Sequence, residues 1–506
     1  MTSSVMRSVW TTYAARIVAM ASVLVLVPFV ANSVGAAAYG VYALTVAVVA
    51  IFQNDLGMSS ALTRFIARSA AKGDIGSIRS YYAAGTMFFL GIGVLMAAIA
   101  AFSFAAIVPT LDPASVSPRT AVTLAAISVA SILCSLMLAP HRQVLAGLGR
   151  LDLANAISIA QSILRVVLTV VALLIGGNII GVALVDLAAV LLGGGAAWVS
   201  RRLVNPQASW RVADLSKRAL RDLLGLGIDL LVMSVASVVI LQSGSMIVSL
   251  ILPISMVAVY AVAQRVFMLS REATNSLTAA MLPEASRQHA LAGRAALARI
   301  YVRGTRLTNG LLVLILVPLV AFMHIWLESW VGPDLAVATL AAQLLVLSMP
   351  INNQHLLAIP MLGAQGRLRA FSILHFVWMV LSIAGSLAFG QLWGVEGVAL
   401  GFVAPIFLLE PFYVRHTLIR LGIAPRTFFT ESVFPAFVSC LVPAVVVFLL
   451  AGQVVTLWQA IASTLLWAAL AGILQARFVL SSADRKRLLS LIRRPGSHGD
   501  RGRDMQ

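Results

Sequence analysis

Charged residues are scarce in this 506-residue chain, where Asp, Glu, Lys and Arg together make up 11% of all positions. A soluble domain has roughly 25% charged residues. Apolar residues account for 60%, and the mean hydropathy is +0.97. The polar side chains are too few to cover a globular surface in water. A bilayer must therefore be the solvent for most of the chain. The composition therefore excludes a soluble enzyme, a secreted disulfide scaffold and a disordered protein.

The usual signals of an enzyme are also missing. The only two cysteines, Cys134 and Cys440, lie far apart in apolar runs, which predicts two small buried side chains rather than a disulfide. The seven histidines show no metal-ligand spacing, and no phosphate-binding loop is present. The loops expected outside the cell are too short for a glycosyltransferase or polymerase active site. We therefore expect no catalytic residues, no metal and no cofactor.

Acidic residues are half as common as basic ones, 18 against 36, which gives a net charge of +18. In a soluble protein such a balance would indicate nucleic-acid binding. In a membrane protein the simpler cause is the enrichment of Lys and Arg in cytoplasmic loops. We therefore expect a lipid bilayer, and no nucleic acid, as the surroundings of this chain.

Apolar stretches of roughly 20 residues, the length that crosses a bilayer as a helix, recur along the sequence. They predict fourteen transmembrane helices, at about 10–32, 38–61, 81–109, 120–139, 153–175, 178–198, 224–251, 255–282, 307–328, 336–360, 370–390, 394–414, 432–451 and 454–476. The first is interpreted as a retained signal anchor rather than a cleaved signal peptide. A basic tail follows the last helix.

The distribution of basic residues orients these helices. With the N-terminus inside, 31 of the 36 Lys and Arg residues fall in inside segments, and the outside loops contain only Arg119. The remaining four lie within spans: Arg16, Arg165, Arg265 and Arg271. This partition predicts a multi-pass membrane protein with both termini in the cytoplasm.

Three short strings recur at a nearly constant offset, which indicates an internal repeat. Gly40–Ala43 resembles Ala258–Ala261 at an offset of 218, Gly149–Leu151 returns as Gly366–Leu368 at 217, and Gly181–Leu184 returns as Gly397–Leu400 at 216. Helices 1–6 thus match helices 7–12. Because six is even, the two halves have the same orientation in the membrane.

The repeat predicts an all-α architecture of two parallel six-helix lobes around a central cavity, with two extra C-terminal helices. The expected domains are an N-terminal lobe at 1–205, a C-terminal lobe at 206–425, helices 13 and 14 at 426–478, and a basic cytoplasmic tail at 479–506. Lobes that rock against each other give alternating access. The repeat therefore favours a transporter.

Several motifs resemble those of a known family. The segment from Gly35 to Tyr42 resembles the "G-x-x-x-Y-G-x-y" signature of bacterial polysaccharide flippases, and Asp55–Met58, followed by Arg64 and Ala67, is similar to the end of their helix 2. Ala146–Arg150 and Trp326–Gly332 resemble their loops after helices 4 and 9. The family is the Wzx-like oligosaccharide flippases of the multidrug/oligosaccharidyl-lipid/polysaccharide exporter superfamily.

The resemblance implies a function in polysaccharide biosynthesis. A Wzx-like protein moves an undecaprenyl-diphosphate-linked oligosaccharide from the cytoplasmic to the periplasmic leaflet, and a polysaccharide polymerase and a chain-length regulator are its candidate partners. Relatives often have an acidic residue late in helix 7, whereas Gln242–Ser245 is polar but uncharged here.

Charged residues within a span are costly, so each is a candidate functional residue. Arg165 in helix 5 and Asp186 in helix 6 lie at comparable depths of a tight hairpin, with Arg165 roughly 18 Å from the inner end of its helix. They form either a structural ion pair or part of a substrate site. Arg16 lies about 9 Å into helix 1, where it either snorkels to the interface or lines the cavity, as helix 1 does in relatives.

Helix 8 is the most polar span. Gln264, Met268, Arg271 and Asn275 share one face at spacings of 4, 3 and 4, and Arg265 and Glu272 lie beside them. We expect this face to line the cavity or another helix. Arg265, near the midplane, is a substrate-site candidate, whereas Arg271 and Glu272 form either an interfacial pair or a substrate contact.

The substrate-binding candidates are therefore Arg16, Arg165, Gln264, Arg265, Arg271 and Asn275. Asp229 and Glu272 are candidates for a coupling ion, although Asp229 could instead pair with Arg16 or Arg271. Asp55 is expected to meet Arg64 or a helix end, and Glu410 to pair with Arg415. Pro350 is expected to interrupt helix 10, with the following Asn352–Gln354 acting in a hinge or a sugar contact.

Three functions fit this pattern to different degrees. A lipid-linked oligosaccharide flippase requires a cationic cavity for the diphosphate, and the arginines within the spans favour it. A cation-coupled multidrug exporter of the same superfamily would need an acidic or aromatic cavity. A membrane-embedded polysaccharide polymerase or ligase would need one large periplasmic loop, which the short loops argue against.

Overall fold

The computed structural model describes residues 3–111, 116–224, 228–365 and 367–480, and it is helical almost throughout these ranges, with no β-strand among them. The basic tail predicted at 479–506 lies almost entirely outside the described residues. The all-α membrane architecture predicted from the apolar stretches and the internal repeat is confirmed.

The first half of the chain forms nine α-helices in the described part. They are α1 (Ser3–Val34), α2 (Ala36–Phe52), α3 (Met58–Ala71), α4 (Ile75–Ile107), α5 (Pro118–Gly147), α6 (Leu151–Leu174), α7 (Ile179–Val204), α8 (Lys217–Leu224) and α9 (Ile228–Ile251). Single 3₁₀ turns follow α4 at Val108–Thr110 and precede α8 at Val212–Asp214.

The second half contains two very long helices and several short ones. They are α10 (Ile254–Ala321), α11 (Met323–Val331), α12 (Pro333–Ala336), α13 (Thr339–Leu347), α14 (Met349–Leu356), α15 (Ala358–Ala364), α16 (Arg369–Leu421), α17 (Pro425–Phe428), α18 (Phe434–Val438), α19 (Leu441–Leu450) and α20 (Leu457–Phe478). A π-helical turn, Phe429–Val433, joins α17 to α18, and a 3₁₀ turn, Ala451–Gln453, follows α19.

Within the described ranges, eleven helical segments are long and apolar enough to cross a membrane, and α2 is a shorter apolar helix of 17 residues. The predicted total of fourteen spans stays a prediction. Large apolar side chains on these helices lie open on the protein surface, with Phe102 78% and Leu449 76% exposed. Such a surface is stable only against lipid, which agrees with the membrane location.

The described residues fall into two compact units. The first runs up to Leu269 and includes Leu327–Leu345 and Leu368–Leu409, and the second comprises Ser270–Trp326, Val346–Arg367 and the chain from Glu410 onward. The long helices α10 and α16 each contribute to both. The domain boundaries expected from the sequence repeat remain a prediction.

In the first unit, α5 packs against α4 and α7, α1 packs against α6, and α2 packs against α9. The core is formed by large side chains that are completely buried, including Leu62, Tyr82, Phe89 and Leu124. In the second unit, Trp467 of α20 lies in a cluster with Val313 and Cys440, and its indole N–H donates to the Leu314 carbonyl oxygen over 3.0 Å. The last two predicted spans are therefore packed onto α10.

Helix 2 ends earlier than the apolar stretch 38–61 predicts. The chain turns after Phe52, where Leu56 and Gly57 both adopt positive φ, 55° and 80°. The Asn54 side chain accepts from the Leu56 N–H over 2.8 Å, and Asp55 accepts from the N–H groups of Gly57 and Ser59 at the start of α3. Asp55 therefore caps a helix end, one of its two predicted roles.

Two predicted loops differ from the structure. The backbone continues as a helix through 283–306, with non-helical dihedrals only at Gly293, because the Ala- and Arg-rich sequence there favours a helix beyond the bilayer. The predicted boundary between spans 11 and 12 is a tight kink at Trp393 and Gly394 inside α16. Pro350 begins α14 at its first turn, which confirms the predicted interruption of span 10.

Candidate functional site

A small cavity in the first unit is lined by two arginines. Its walls come from α1, α2, α6, α7 and α10, and its volume is about 60 Å³. Arg165 and Arg265 line it with Tyr39, Tyr42 and Thr169, and the remaining wall is aliphatic. None of the described residues that line it is an Asp or a Glu. We call this space the Arg265 cavity, and its polar surface is cationic.

Arg165 is held by a three-residue network. Its Nε–H donates to Asp186 Oδ1 over 2.5 Å, and its Nη2–H groups donate to Asp186 Oδ2 over 3.2 Å and to the Tyr42 hydroxyl over 3.1 Å. The Tyr42 hydroxyl donates in turn to Asp186 Oδ2 over 2.5 Å. Arg165 of α6 and Asp186 of α7 therefore form an ion pair, which was one of the two interpretations of these residues.

The local sequence explains why the two charges meet. Gly176, with φ of 85°, reverses the chain after α6, and the Asn178 side chain caps α7 by accepting from the Ile180 N–H over 3.0 Å. Arg165 lies nine residues before the end of α6, and Asp186 lies seven residues after the start of α7. At 1.5 Å per residue these depths agree within about 3 Å.

A second cavity of about 230 Å³ is lined by both residues of this ion pair, and we call it the Asp186 cavity. Tyr42 and Arg165 line both cavities. The wall of the Asp186 cavity combines aliphatic side chains with a set of polar ones, namely Thr45, Gln53, Ser128, Ser131, Gln161 and Asp186. The side chains of Arg165 and Asp186 remain 38% and 24% exposed, so a ligand or water molecules can reach the pair.

The polar stripe predicted on the eighth span, 255–282, lies on α10 and is divided between the two compact units. Gln264 and Arg265 belong to the first unit, whereas Arg271, Glu272 and Asn275 belong to the second. The Gln264 side-chain amide donates to the Leu241 carbonyl oxygen and to Gln242 Oε1 on α9. Gln264 therefore joins two helices, while Arg265 lines the Arg265 cavity.

Arg16 and Asp229 are half-buried residues of the first unit. Arg16 lies on α1, seven residues before Val23, which lines the Arg265 cavity. Asp229 begins α9, and its Oδ1 accepts from the Ser372 hydroxyl over 2.8 Å. The structure therefore brings Arg265 together with Arg165 at one cavity, rather than with Arg16.

The interpretation of Glu410 as a partner of Arg415 is wrong. Glu410 is 4% exposed and bonds to His355, with 2.6 Å between Glu410 Oε2 and His355 Nδ1. Arg415 is exposed on the same helix. Residues five apart point to different sides of a helix, whereas neighbours on one face are three or four apart.

Sequence reasoning missed the tyrosines of the Arg265 cavity. Tyr39 and Tyr42 are three residues apart in the Gly35–Tyr42 motif, so both lie on one face of α2. That spacing, in a motif already singled out, was a signal for two phenol groups facing the same space. His355 was missed because its partner is distant in sequence.

These observations define a class: a multi-pass helical membrane protein with polar residues enclosed between its helices. The family described as "Polysaccharide biosynthesis protein" matches residues 5–289, more than half of the sequence. The chain belongs to this polysaccharide biosynthesis protein family. No protein of curated function matches the sequence.

Solved structures of two kinds share the fold. The chain is similar to the lipid II flippase MurJ in an inward closed conformation, with a TM-score of 0.71, 14% identity, and coverage of 94% of this chain and 99% of that one. It is also similar to an inward-facing multidrug resistance MATE family transporter of the MOP superfamily, with a TM-score of 0.65, 16% identity, and coverage of 81% and 94%. The chain therefore shares the fold of these two solved structures.

Proposed function

We propose that this protein flips an undecaprenyl-diphosphate-linked oligosaccharide from the cytoplasmic to the periplasmic leaflet of the bacterial inner membrane by alternating access. The observation that carries the proposal is the cationic lining of the Arg265 cavity. Membership of the polysaccharide biosynthesis protein family and the fold shared with a lipid II flippase support it. A polysaccharide polymerase and a chain-length regulator are the proposed partners.

Arg265 is the proposed diphosphate contact. The charge of Arg165 is balanced by Asp186, whereas none of the described residues lining the Arg265 cavity is acidic. Arg265 therefore leaves the cavity with a net positive charge. A guanidinium binds phosphate oxygens through two parallel N–H groups, which offsets the lost hydration of the diphosphate better than the ammonium group of lysine.

The cavity must widen for the substrate to bind. A volume of about 60 Å³ has room for only a few water molecules. In the proposed cycle, the helices around the cavity separate on one side of the membrane and open it to that leaflet. They then close on that side and separate on the other, which opens the cavity to the second leaflet. Arg16, Arg165, Gln264, Arg271 and Asn275 are proposed further substrate contacts, and Asp229 and Glu272 remain proposed coupling-ion residues.

A multidrug exporter of the same fold is the competing proposal. Cationic drugs need an unpaired acidic side chain or an aromatic box in the binding cavity. Tyr39 and Tyr42 supply rings, but the nearby carboxylate, Asp186, is bonded to Arg165 and Tyr42. The charge of the Arg265 cavity therefore favours an anionic substrate.

The test replaces Arg265 by Ala, Glu and Lys in cells that depend on this protein for polysaccharide export. Arg265→Glu and Arg265→Ala should abolish export and cause lipid-linked repeat units to accumulate on the cytoplasmic face, whereas Arg265→Lys should retain partial activity. Arg119→Ala, a change of an exposed arginine at the start of α5, is the matched control and should export normally. Protein levels are measured for every variant.

Normal export by Arg265→Glu at wild-type protein level would remove Arg265 from the mechanism. Transport assays in proteoliposomes separate the two functions: a flippase moves a labelled lipid diphosphate oligosaccharide, whereas a drug exporter moves an organic cation and leaves the lipid in place.

A further inference from the structure

A histidine and a glutamate are bonded to each other in the interior of the second unit. His355 of α14 and Glu410 of α16 are 2.6 Å apart, measured from Nδ1 to Oε2. Their side chains are 0% and 6% exposed. Glu410 lies eleven residues before the end of α16, about 16 Å along the helix. Two titratable groups are thus in direct contact deep within a membrane-spanning segment.

Tyrosine and arginine side chains surround the pair. The Tyr413 ring stacks on His355, with ring centroids 4.3 Å apart and an interplanar angle of 17°. Tyr301 of α10 also acts electrostatically on Glu410, and its hydroxyl donates to the Gln354 carbonyl oxygen over 2.8 Å. Arg271 of α10 is a cation that acts on His355. Arg271, Tyr301 and Tyr413 are thus titratable groups that interact with the pair among the described residues.

One carboxylate oxygen of the pair makes no compensating bond. Glu410 Oε1 is buried, and no hydrogen-bond donor reaches it from the described part of the chain. The Arg271 Nε–H is likewise buried without an acceptor in the same ranges. A purely structural ion pair in a membrane interior is normally surrounded by enough donors and acceptors to satisfy it. An ionised carboxylate only accepts hydrogen bonds, whereas a protonated carboxyl group also donates one. A fixed set of neighbours therefore cannot satisfy the hydrogen bonds of both states equally.

The net charge of the His355–Glu410 pair depends on the number of protons that it binds. With Nε2 of His355 protonated and one further proton shared between Nδ1 and Oε2, the pair is neutral. Loss of that proton leaves one negative charge, and a second proton leaves one positive charge. Either charged state is costly in a low-dielectric interior, so a change of protonation needs access to water or a compensating charge.

We propose that His355 and Glu410 form a proton-binding site, and that protons bind to and leave this pair during transport. The proposal rests on the proposed function, because a transporter needs a coupled gradient to move its substrate uphill. The proton comes from bulk water on one side of the membrane and is released to water on the other. Arg271 stabilises the state in which the pair has lost its proton.

The first experiment needs no substrate. Infrared difference spectra of the purified full-length protein in lipid nanodiscs are recorded between alkaline and acidic pH. We expect the wild-type spectrum to gain the carbonyl stretch of a buried carboxylic acid, and we expect Glu410→Gln to lose it. Glu396→Gln is the matched acidic control and should retain the band.

The histidine is tested in the same way. His355→Gln should shift the pH at which the carboxylic acid band appears, because the histidine that shares the proton is gone. His141→Gln is the matched control, since His141 is also buried but bonds through Nδ1 to the Tyr82 hydroxyl over 2.5 Å. It should leave the band unchanged. A wild-type protein without a pH-dependent carboxylic acid band overturns the proposal, whether or not the variants fold.

Coupling is measured in proteoliposomes that contain the labelled lipid diphosphate oligosaccharide. An imposed pH gradient should accelerate flipping by the wild-type protein, and Glu410→Gln should lose this acceleration while it still flips down a substrate gradient. A wild-type protein that does not flip the lipid contradicts the proposed function but leaves the infrared result standing. Equal acceleration of wild-type and Glu410→Gln protein overturns the proton site.

Discussion

Arg165 and Asp186 form an ion pair that is joined by two hydrogen bonds, from Nε to Oδ1 over 2.5 Å and from Nη2 to Oδ2 over 3.2 Å. The Tyr42 hydroxyl contacts both partners and so ties α2 to the α6–α7 hairpin. Because Tyr42 and Arg165 line both cavities, the network holds part of the wall of each. A structural role and a role at the substrate site are therefore compatible for Arg165.

Removal of one partner should destabilise the protein. Arg165→Ala and Asp186→Ala each leave a poorly hydrated charge without its counter-charge. Breaking a fully buried pair costs about 3–5 kcal/mol, and the partial exposure of this pair reduces the expected loss to about 1–3 kcal/mol. Thermal unfolding and the level of folded protein measure the effect, with Arg119→Ala as the control.

The double charge reversal, Arg165→Asp with Asp186→Arg, should recover part of the lost stability. Recovery means that the two residues interact directly, because distant residues show additive effects. Near-additive losses in the double variant would contradict an energetic role for the pair and leave Arg165 as a substrate contact alone.

The position of the loops can be tested independently of any substrate. Reporter fusions after Gly35, Pro113, Gly177 and Pro333 should report the periplasm, because the outside loops contain almost no Lys or Arg. Fusions after Lys72, Gln207 and Gly496 should report the cytoplasm. A cytoplasmic signal at Gly177 would contradict the six-helix repeat.

The two arms of α16 approach each other closely at glycines. A methyl group at Gly401 would overlap the backbone of Gly385 and Ser386, and the Ser386 hydroxyl donates to the Val398 carbonyl oxygen over 3.0 Å. Small residues allow such close contact between membrane helices. Gly401→Ala should therefore destabilise the protein by about 1–3 kcal/mol, the typical cost of overpacking.

Thermal melting of purified Gly401→Ala measures this loss. Gly181→Ala is the matched control, since a methyl group there meets open space. Equal melting temperatures for the two variants would show that the hairpin separates easily at Gly401.

Hydrophobic patterning predicted the parts of this structure that depend on local sequence. The membrane spans follow from apolar stretches of bilayer length, and the interruption at Pro350 follows from proline itself. The Arg165–Asp186 pair follows from comparable depths in a short hairpin. The end of α2 was placed too late because apolar residues continue past the turn at Asn54–Gly57. The side-chain hydrogen bonds of Asn54 and Asp55 end the helix there.

Contacts between residues distant in sequence could not be predicted in the same way. Glu410 was assigned a neighbour on its own helix, but its partner is His355, 55 positions earlier. Tyr42 reaches Arg165 across 123 positions. A single sequence contains no signal for such pairings, since they depend on how the helices pack.

Asn309 connects three segments of the second unit, and its environment leads to the last prediction. It is completely buried on α10. Its Oδ1 accepts from the side-chain amides of Asn353 and Gln354, each over 2.9 Å, and its Nδ2 donates to the Ser432 carbonyl oxygen over 3.2 Å. Ser432 lies in the π-helical turn, where the regular backbone hydrogen-bond pattern is interrupted.

Asn309→Leu should lower the melting temperature markedly. The leucine has a similar size, but it removes one hydrogen-bond partner from each of two buried amides and from one carbonyl group. Each group left unsatisfied costs about 1–3 kcal/mol. Gln391→Leu, a change of an exposed amide on α16, is the control and should melt like the wild-type protein. An Asn309→Leu protein as stable as the control would mean that water replaces the lost bonds. The interior of the second unit around Asn309 would then be hydrated rather than dry.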